Sequence, residues 1–158
     1  MANKNSKIRL NEKLKIEVDE NFSIDCHGYN VCTCCCYGKI SIQDIDEPDF
    51  YEHFYMNLDT WSMDDYKKQW ELAFKRLETR KKSCFVVNFE VNRLVMLWPL
   101  YRVGRIIYIQ NHMYIDEAYK KNIGDCLFTP ETSLKFVHDR DRIRAEAKKM
   151  SEWQVKII

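Results

Sequence analysis

Glycine and proline are scarce, at four and three residues among 158. Flexible linkers are built from such residues, so a string of loosely tethered modules is excluded and a single domain over residues 1–158 is expected. A long apolar run is also missing. The longest, Leu94–Tyr101, has eight residues, whereas a helix needs about 20 to cross a bilayer. Neither sign of charge is in excess: 25 Lys and Arg meet 24 Asp and Glu for a net charge of +1. Bulk charge therefore gives no reason to expect a nucleic-acid or membrane partner; only its distribution could. What the chain does have is 46% hydrophobic and 13% aromatic residues, which excludes wholesale disorder and supplies a core.

Catalytic signatures are lacking too. There is no Gly-rich phosphate loop, nucleophile elbow or paired-histidine metalloprotease helix. His27, His53, His112 and His138 are dispersed, and none belongs to a local signature that pairs it with a cysteine. No catalytic or cofactor-binding residue is therefore assigned, and a small enzyme with an unrecognised site stays among the competing readings. Met1–Lys7 lacks the apolar stretch of a signal peptide, so a cytoplasmic location is expected. In that reducing compartment the seven cysteines are expected to be free thiols, and an odd number cannot complete a disulfide framework.

Six of the residues that could ligate a metal cluster as Cys26, His27, Cys32, Cys34, Cys35 and Cys36. Zinc sites want two separated pairs, each spaced by about two to four residues. Cys32, Cys34, Cys35 and Cys36 are too tightly spaced, and no second pair follows. In an extended strand Cys32, Cys34 and Cys36 share one face and Cys35 takes the other, which suits small core residues. A metal- or redox-responsive regulator built on Cys32–Cys36 is the alternative function.

Period-two alternation predicts strands at Leu14–Val18 and Phe22–Cys26, and a third within 31–42. The clearest helix runs from about Ser62 to Arg80. Ser62 is its natural N-cap, with Asp65 completing a capping box, and Met63, Tyr66, Trp70, Ala73, Phe74 and Leu77 form its apolar stripe. The aromatic members of that stripe read as core. Ser83–Phe89 and Leu94–Tyr101 read as central strands, with Pro99 marking an edge or a bulge. Arg105–Ile109 follows a hairpin turn at Val103-Gly104. Glu131–Val137 is ambiguous, Arg142–Met150 suits a short helix, and Trp153–Ile158 a last strand. The expected fold is α+β: a mainly antiparallel sheet with one long amphipathic helix (about 62–80) and shorter helices packed on it.

Charge is segregated along the chain. Residues 40–66 hold Asp44, Asp46, Glu47, Asp49, Glu52, Asp59, Asp64 and Asp65 with no Lys or Arg, a net charge of −8. Residues 67–82 carry +5. An acidic surface of this kind speeds and selects encounter with a basic partner. Phe50, Tyr51, Phe54 and Tyr55 lie within it, the residue types that interfaces favour, although some must be core. Phe50 and Phe54, four apart, suggest one face of a short helical turn. The candidate contacts are Asp44, Asp46, Glu47, Asp49 and Glu52, at positions where the fold is expected to tolerate substitution.

Two stretches carry a resemblance. One is Phe50-Tyr51-Glu52-His53-Phe54 leading into Trp61-Ser62-Met63-Asp64-Asp65-Tyr66-Lys67-Lys68-Gln69-Trp70; the other is Ser151-Glu152-Trp153-Gln154-Val155. Trp98-Pro99-Leu100-Tyr101 and Ile109-Gln110-Asn111 fit between them. With these motifs the chain resembles the immunity proteins of bacterial contact-dependent growth inhibition systems. The resemblance implies a small non-enzymatic cytoplasmic protein whose partner is a cognate toxin C-terminal domain, often a nuclease and here expected to be an RNase. It gives the acidic window a role, because nuclease sites are basic. It also implies that Trp61, Tyr66, Trp70 and Trp153 serve the core rather than the partner.

Overall fold

Leu14, Ile16 and Val18 alternate with polar residues, which sets them on one face of a strand. In the computed structural model, which describes residues 5–9, 11–19, 35–90, 94–114, 128–146 and 151–157, this strand is β2 (Leu14–Asp19). It pairs with β1 (Asn5–Arg9) and β3 (Cys35–Ile42), and β4 (Phe50–Asn57) completes an antiparallel sheet of order β1-β2-β3-β4. Its inner face buries Leu14, Ile16, Val18, Cys36, Ile40, Ile42, Phe54 and Met56. Gly38 stands opposite Phe54, whose ring lies over it where any side chain would collide. The expected strand Phe22–Cys26 and residues 31–34 lie outside the described residues.

The second sheet has β5 (Lys82–Glu90), β6 (Leu94–Val103), β7 (Ile106–Gln110), β8 (His112–Tyr114) and β9 (Glu152–Lys156). Its order is β5-β6-β7-β9, with β8 also paired to β6. Gly104, at φ 60°, takes the left-handed conformation that the tight β6–β7 connection requires. Pro99 is not at a sheet edge, contrary to the expectation. Leu100 pairs with Ile109 and Leu97 with His112 in one register. The ladder between them is interrupted at Trp98–Pro99, so a residue without an N–H is tolerated inside a central strand. The only irregularity in the β5–β6 register falls elsewhere, between Val86 and Asn88.

One long helix, α1 (Met63–Arg76), is packed on β5. The capping box is present: Asp65 N–H donates to Ser62 Oγ at 3.2 Å and Ser62 N–H to Asp65 Oδ2 at 2.9 Å. The helix stops four residues before the expected Arg80, with Leu77 as C-cap and a turn beyond. A 3₁₀ turn (Thr132–Lys135) resolves the ambiguous segment, and α2 (Arg142–Glu146) the short helix, whose expected residues 147–150 lie outside the described ones. One cluster of buried side chains runs through both sheets and α1, from Leu14 to Val155. The architecture is α+β, antiparallel throughout its described sheets.

The helix does more than bury its stripe. β5 is an edge strand, and unpaired strand edges invite other chains. Side chains of α1 occupy that edge. Gln69 Nε2 donates to the Cys84 carbonyl at 2.8 Å and its Oε1 accepts the Val86 N–H at 2.9 Å. Trp70 Nε1 donates to the Val86 carbonyl at 2.8 Å, and Tyr66 Oη accepts from Phe89 N–H at 3.0 Å while donating to Asn57 O at 2.7 Å. Trp61 Nε1 donates to Phe128 O at 3.2 Å. Every aromatic of the Trp61–Trp70 motif thus has a structural duty, as the resemblance implied.

Candidate functional site

The acidic window splits into groups with different surroundings. Asp46, Glu47 and Asp49 lie exposed on the loop between β3 and β4. Among the described residues they have no ion-pair partner. Asp44 opens the same loop but is turned against the body. Its Oδ1 accepts the N–H groups of Asp46 and Glu47 at 2.8 and 3.0 Å, an Asx turn, and its Oδ2 accepts Gln154 N–H at 2.6 Å. Ile45 N–H donates to Gln154 O at 3.0 Å. The loop therefore covers the outer edge of β9. Asp65 is spent on the helix cap, Asp64 is exposed in the first helical turn, and Asp59 accepts from Asn57 Nδ2 at 3.5 Å.

Glu52 departs furthest from the sequence expectation. It lies on β4, not in a loop, and alternation puts it on the inner side with Phe50, Phe54 and Met56. Asn111 Nδ2, at the ladder interruption, donates to Glu52 Oε2 at 2.7 Å. Burial holds its carboxyl above the usual carboxylate range, and the Asn111 hydrogen bond offsets part of that rise. Asp44 and Glu52 are thus fold contacts, which corrects the expectation that all five candidate positions tolerate substitution.

A groove of about 910 Å³ separates the acidic loop from Arg140, Arg142 and Glu152. Both arginines are already neutralised. Arg140 makes two hydrogen bonds to Glu152, Nε to Oε2 at 2.9 Å and Nη2 to Oε1 at 2.5 Å. Its guanidinium lies 3.6 Å from the Tyr108 ring centroid, and Gln110 Nε2 donates to the same carboxylate at 2.6 Å. Arg142 pairs with Glu146 at 3.5 Å. Neither arginine therefore pairs with the loop carboxylates. Glu152 and Trp153, from the C-terminal motif, are structural: Trp153 stacks between Phe50, at 4.1 Å, and Trp98, at 5.4 Å.

The aromatic residues of the window also divide. The helical turn expected at Phe50 and Phe54 is replaced by strand β4, because a spacing of four shares a face in both a helix and a strand. Phe50 and Phe54 face inward; Tyr51 and Tyr55 face out and are 61% and 59% exposed. Sequence reasoning missed their neighbours on the same face, Tyr37 and His53. The signal available was the alternation Tyr51, His53, Tyr55.

The cysteines supply no assembled ligand set among the described residues. Cys36 is buried and its thiol donates to Asp19 O at 3.1 Å, while Cys35 faces the other way. Burial pushes the Cys84 thiol up to about 12. Cys26, His27, Cys32, Cys34 and Cys126 lie outside the described residues. Among the described residues no helix is long and apolar enough to cross a membrane.

Residues 56–158 match the family described as the CdiI N-terminal domain. The chain is 26% identical over 110 residues to a protein named Immunity protein CdiI from Enterobacter cloacae subsp. cloacae, an alignment covering 66% of this chain and 71% of that protein. A chain of a solved structure, described as the CdiA-CT/CdiI toxin and immunity complex from Enterobacter cloacae, superposes with a TM-score of 0.56. It is 24% identical, the match covering 77% of this chain and 80% of that one, and this likeness shows the fold.

Proposed function

The chain belongs to the CdiI N-terminal domain family, and on that footing we propose that it is an immunity protein, which binds and neutralises the C-terminal toxin domain of a contact-dependent growth inhibition effector. The observation that carries this reading is the 110-residue likeness to Immunity protein CdiI. The protein acts as a stoichiometric inhibitor in the cytoplasm, with residues 1–158 as one immunity domain, and not as an enzyme. Its toxin is a nuclease, most simply an RNase. What supports this is the row of unpaired carboxylates at Asp46, Glu47 and Asp49: a nuclease must present cations to phosphates, and an acidic loop competes for those cations. Covering the active site or the substrate surface follows from that competition.

The test uses the C-terminal domain of a contact-dependent growth inhibition effector, sought first in the gene immediately upstream; a large secreted protein encoded there supplies the partner. Cells producing that domain should stop growing, and co-production of this chain should restore growth through a 1:1 complex. Total RNA should be cleaved by the domain alone and spared once one equivalent of this chain is present. Growth arrest that persists beside folded, abundant chain rules out the immunity reading. Rescue from a domain that cleaves neither RNA nor DNA rules out the nuclease alone.

A further inference from the structure

Three strands of the first sheet turn their outward side chains away from the core, and that face is not apolar filler. On β3 and β4 the outward positions include Tyr37, Lys39, Tyr51, His53 and Tyr55, with Cys35 and Ser41 on the same face. The register sets Tyr37 opposite Tyr55 and Lys39 opposite His53. The rings touch: Tyr37 stacks on His53 at 4.8 Å and meets Tyr55 edge-on at 5.4 Å, and Tyr51 meets His53 at 5.6 Å. Lys39 Nζ lies 4.6 Å from the Tyr51 ring centroid. Side chains that already hold one another lose little freedom when a partner covers them. Tyrosine is also among the residues that most often dominate binding energy.

We propose that this face is the docking surface for the toxin domain, with Tyr51 and Tyr55 as anchors and Asp46, Glu47 and Asp49 as its acidic rim. The assignment rests on the immunity reading above and names where that partner sits. Asp49 lines one shallow groove with Tyr51 and Lys39, and the loop carrying Asp46 and Glu47 leads directly into it, which joins rim to anchors at Tyr51. The charges decide the class of occupant. On the face itself Lys15 and Lys39 are balanced by Glu17 and Asp19, and the adjoining loop adds three unpaired carboxylates. That field repels a phosphate backbone and attracts a basic protein. The family match begins at Met56, so rim and anchors precede it.

The experiment measures binding of the toxin domain that this chain protects against to full-length wild type, Tyr51→Ala, Tyr55→Ala, the double variant, and Glu71→Ala on the exposed side of α1 as a control. Each tyrosine variant should weaken Kd tenfold or more and the double variant more again, with melting temperatures and the control unchanged. In the wild-type complex, Tyr51 and Tyr55 should be protected from nitration; this reading stands even if a variant folds poorly. Wild-type binding with unaffected tyrosine variants and unprotected rings overturns the face and leaves the immunity reading intact. A wild type that does not bind the domain overturns both. A 12-nucleotide single strand bound by wild type and released by Tyr51→Ala, with toxin binding intact, overturns the protein occupant.

Discussion

Asp44 and Gln154, 110 residues apart in the chain, share a 2.6 Å hydrogen bond in which the Gln154 N–H donates to the Asp44 carboxylate. The same carboxylate caps two N–H groups of its own loop. One side chain therefore shapes the acidic loop and fastens it to the edge of β9. Asp44→Ala should cost about 1–3 kcal/mol, the range for stranding such donors. Urea denaturation measures it, and a midpoint equal to wild type contradicts the clamp. A fall in partner affinity in this variant reports a loosened loop rather than a lost contact.

Asp46, Glu47 and Asp49 should behave in the opposite way. They are exposed and unpaired, so each change to Ala should leave stability within about 0.5 kcal/mol. The triple variant should associate with the toxin domain roughly tenfold more slowly at low salt. Wild type should lose that advantage at physiological salt, where exposed charges are screened beyond about 8 Å. Stopped-flow association at two salt concentrations checks this; equal rates for both proteins at both salts mean the loop is only solvated.

Gln69 gives β5 what a neighbouring strand would give: an acceptor for Val86 N–H and a donor for Cys84 C=O. Gln69→Leu keeps the volume but strands both buried groups. At about 1–3 kcal/mol each, the loss should be roughly 2–6 kcal/mol. Because the exposed edge can then pair with another chain, the variant should also aggregate on heating. Calorimetry with light scattering tests both, and a soluble variant of wild-type stability refutes the edge-capping role.

Glu52 fixes the sign of a pH effect. Burial raises its folded carboxyl above the unfolded value, so the folded state keeps a proton that the unfolded state has released. Stability from this group is present below the unfolded pKa and declines as pH rises through the folded one. Glu52→Gln cannot titrate, yet its carbonyl still accepts from Asn111. The melting temperature of the variant relative to wild type should therefore climb from about pH 3.5 to pH 7, the span that starts at ordinary carboxylate values. A difference that is flat with pH speaks against desolvation of the half-buried Glu52.

Much of the scaffold was legible because its signals are local. Ser62 and Asp65 announce the helix start, Leu14, Ile16 and Val18 alternate without interruption, and Val103-Gly104 marks the turn. The helix end at Arg76 was not legible, and the expected Arg80 overshoots it, since Arg76 to Lys82 contains no glycine or proline stop. Phe50 and Phe54 were ambiguous for a geometrical reason, their spacing being allowed by helix and strand alike. For the candidate surface, sequence located the acidic segment but could not sort it. Asp44 and Asp46 look equivalent along the chain; only the distant Gln154 separates a clamp from a free charge. Glu52 likewise waits on Asn111, brought to it by the packing of one sheet on the other, and Lys39 on the Tyr51 ring, brought to it by strand pairing.

The alternation of β4 has a consequence for heredity. Phe50, Glu52, Phe54 and Met56 keep the seam between the sheets, while Tyr51, His53 and Tyr55, one codon away in each case, meet the solvent. Mutations at the second set change what the molecule presents without opening the first. A lineage can therefore exchange one adversary for another through neighbouring codons, and no ancestor along the way has to be a poorly folded protein.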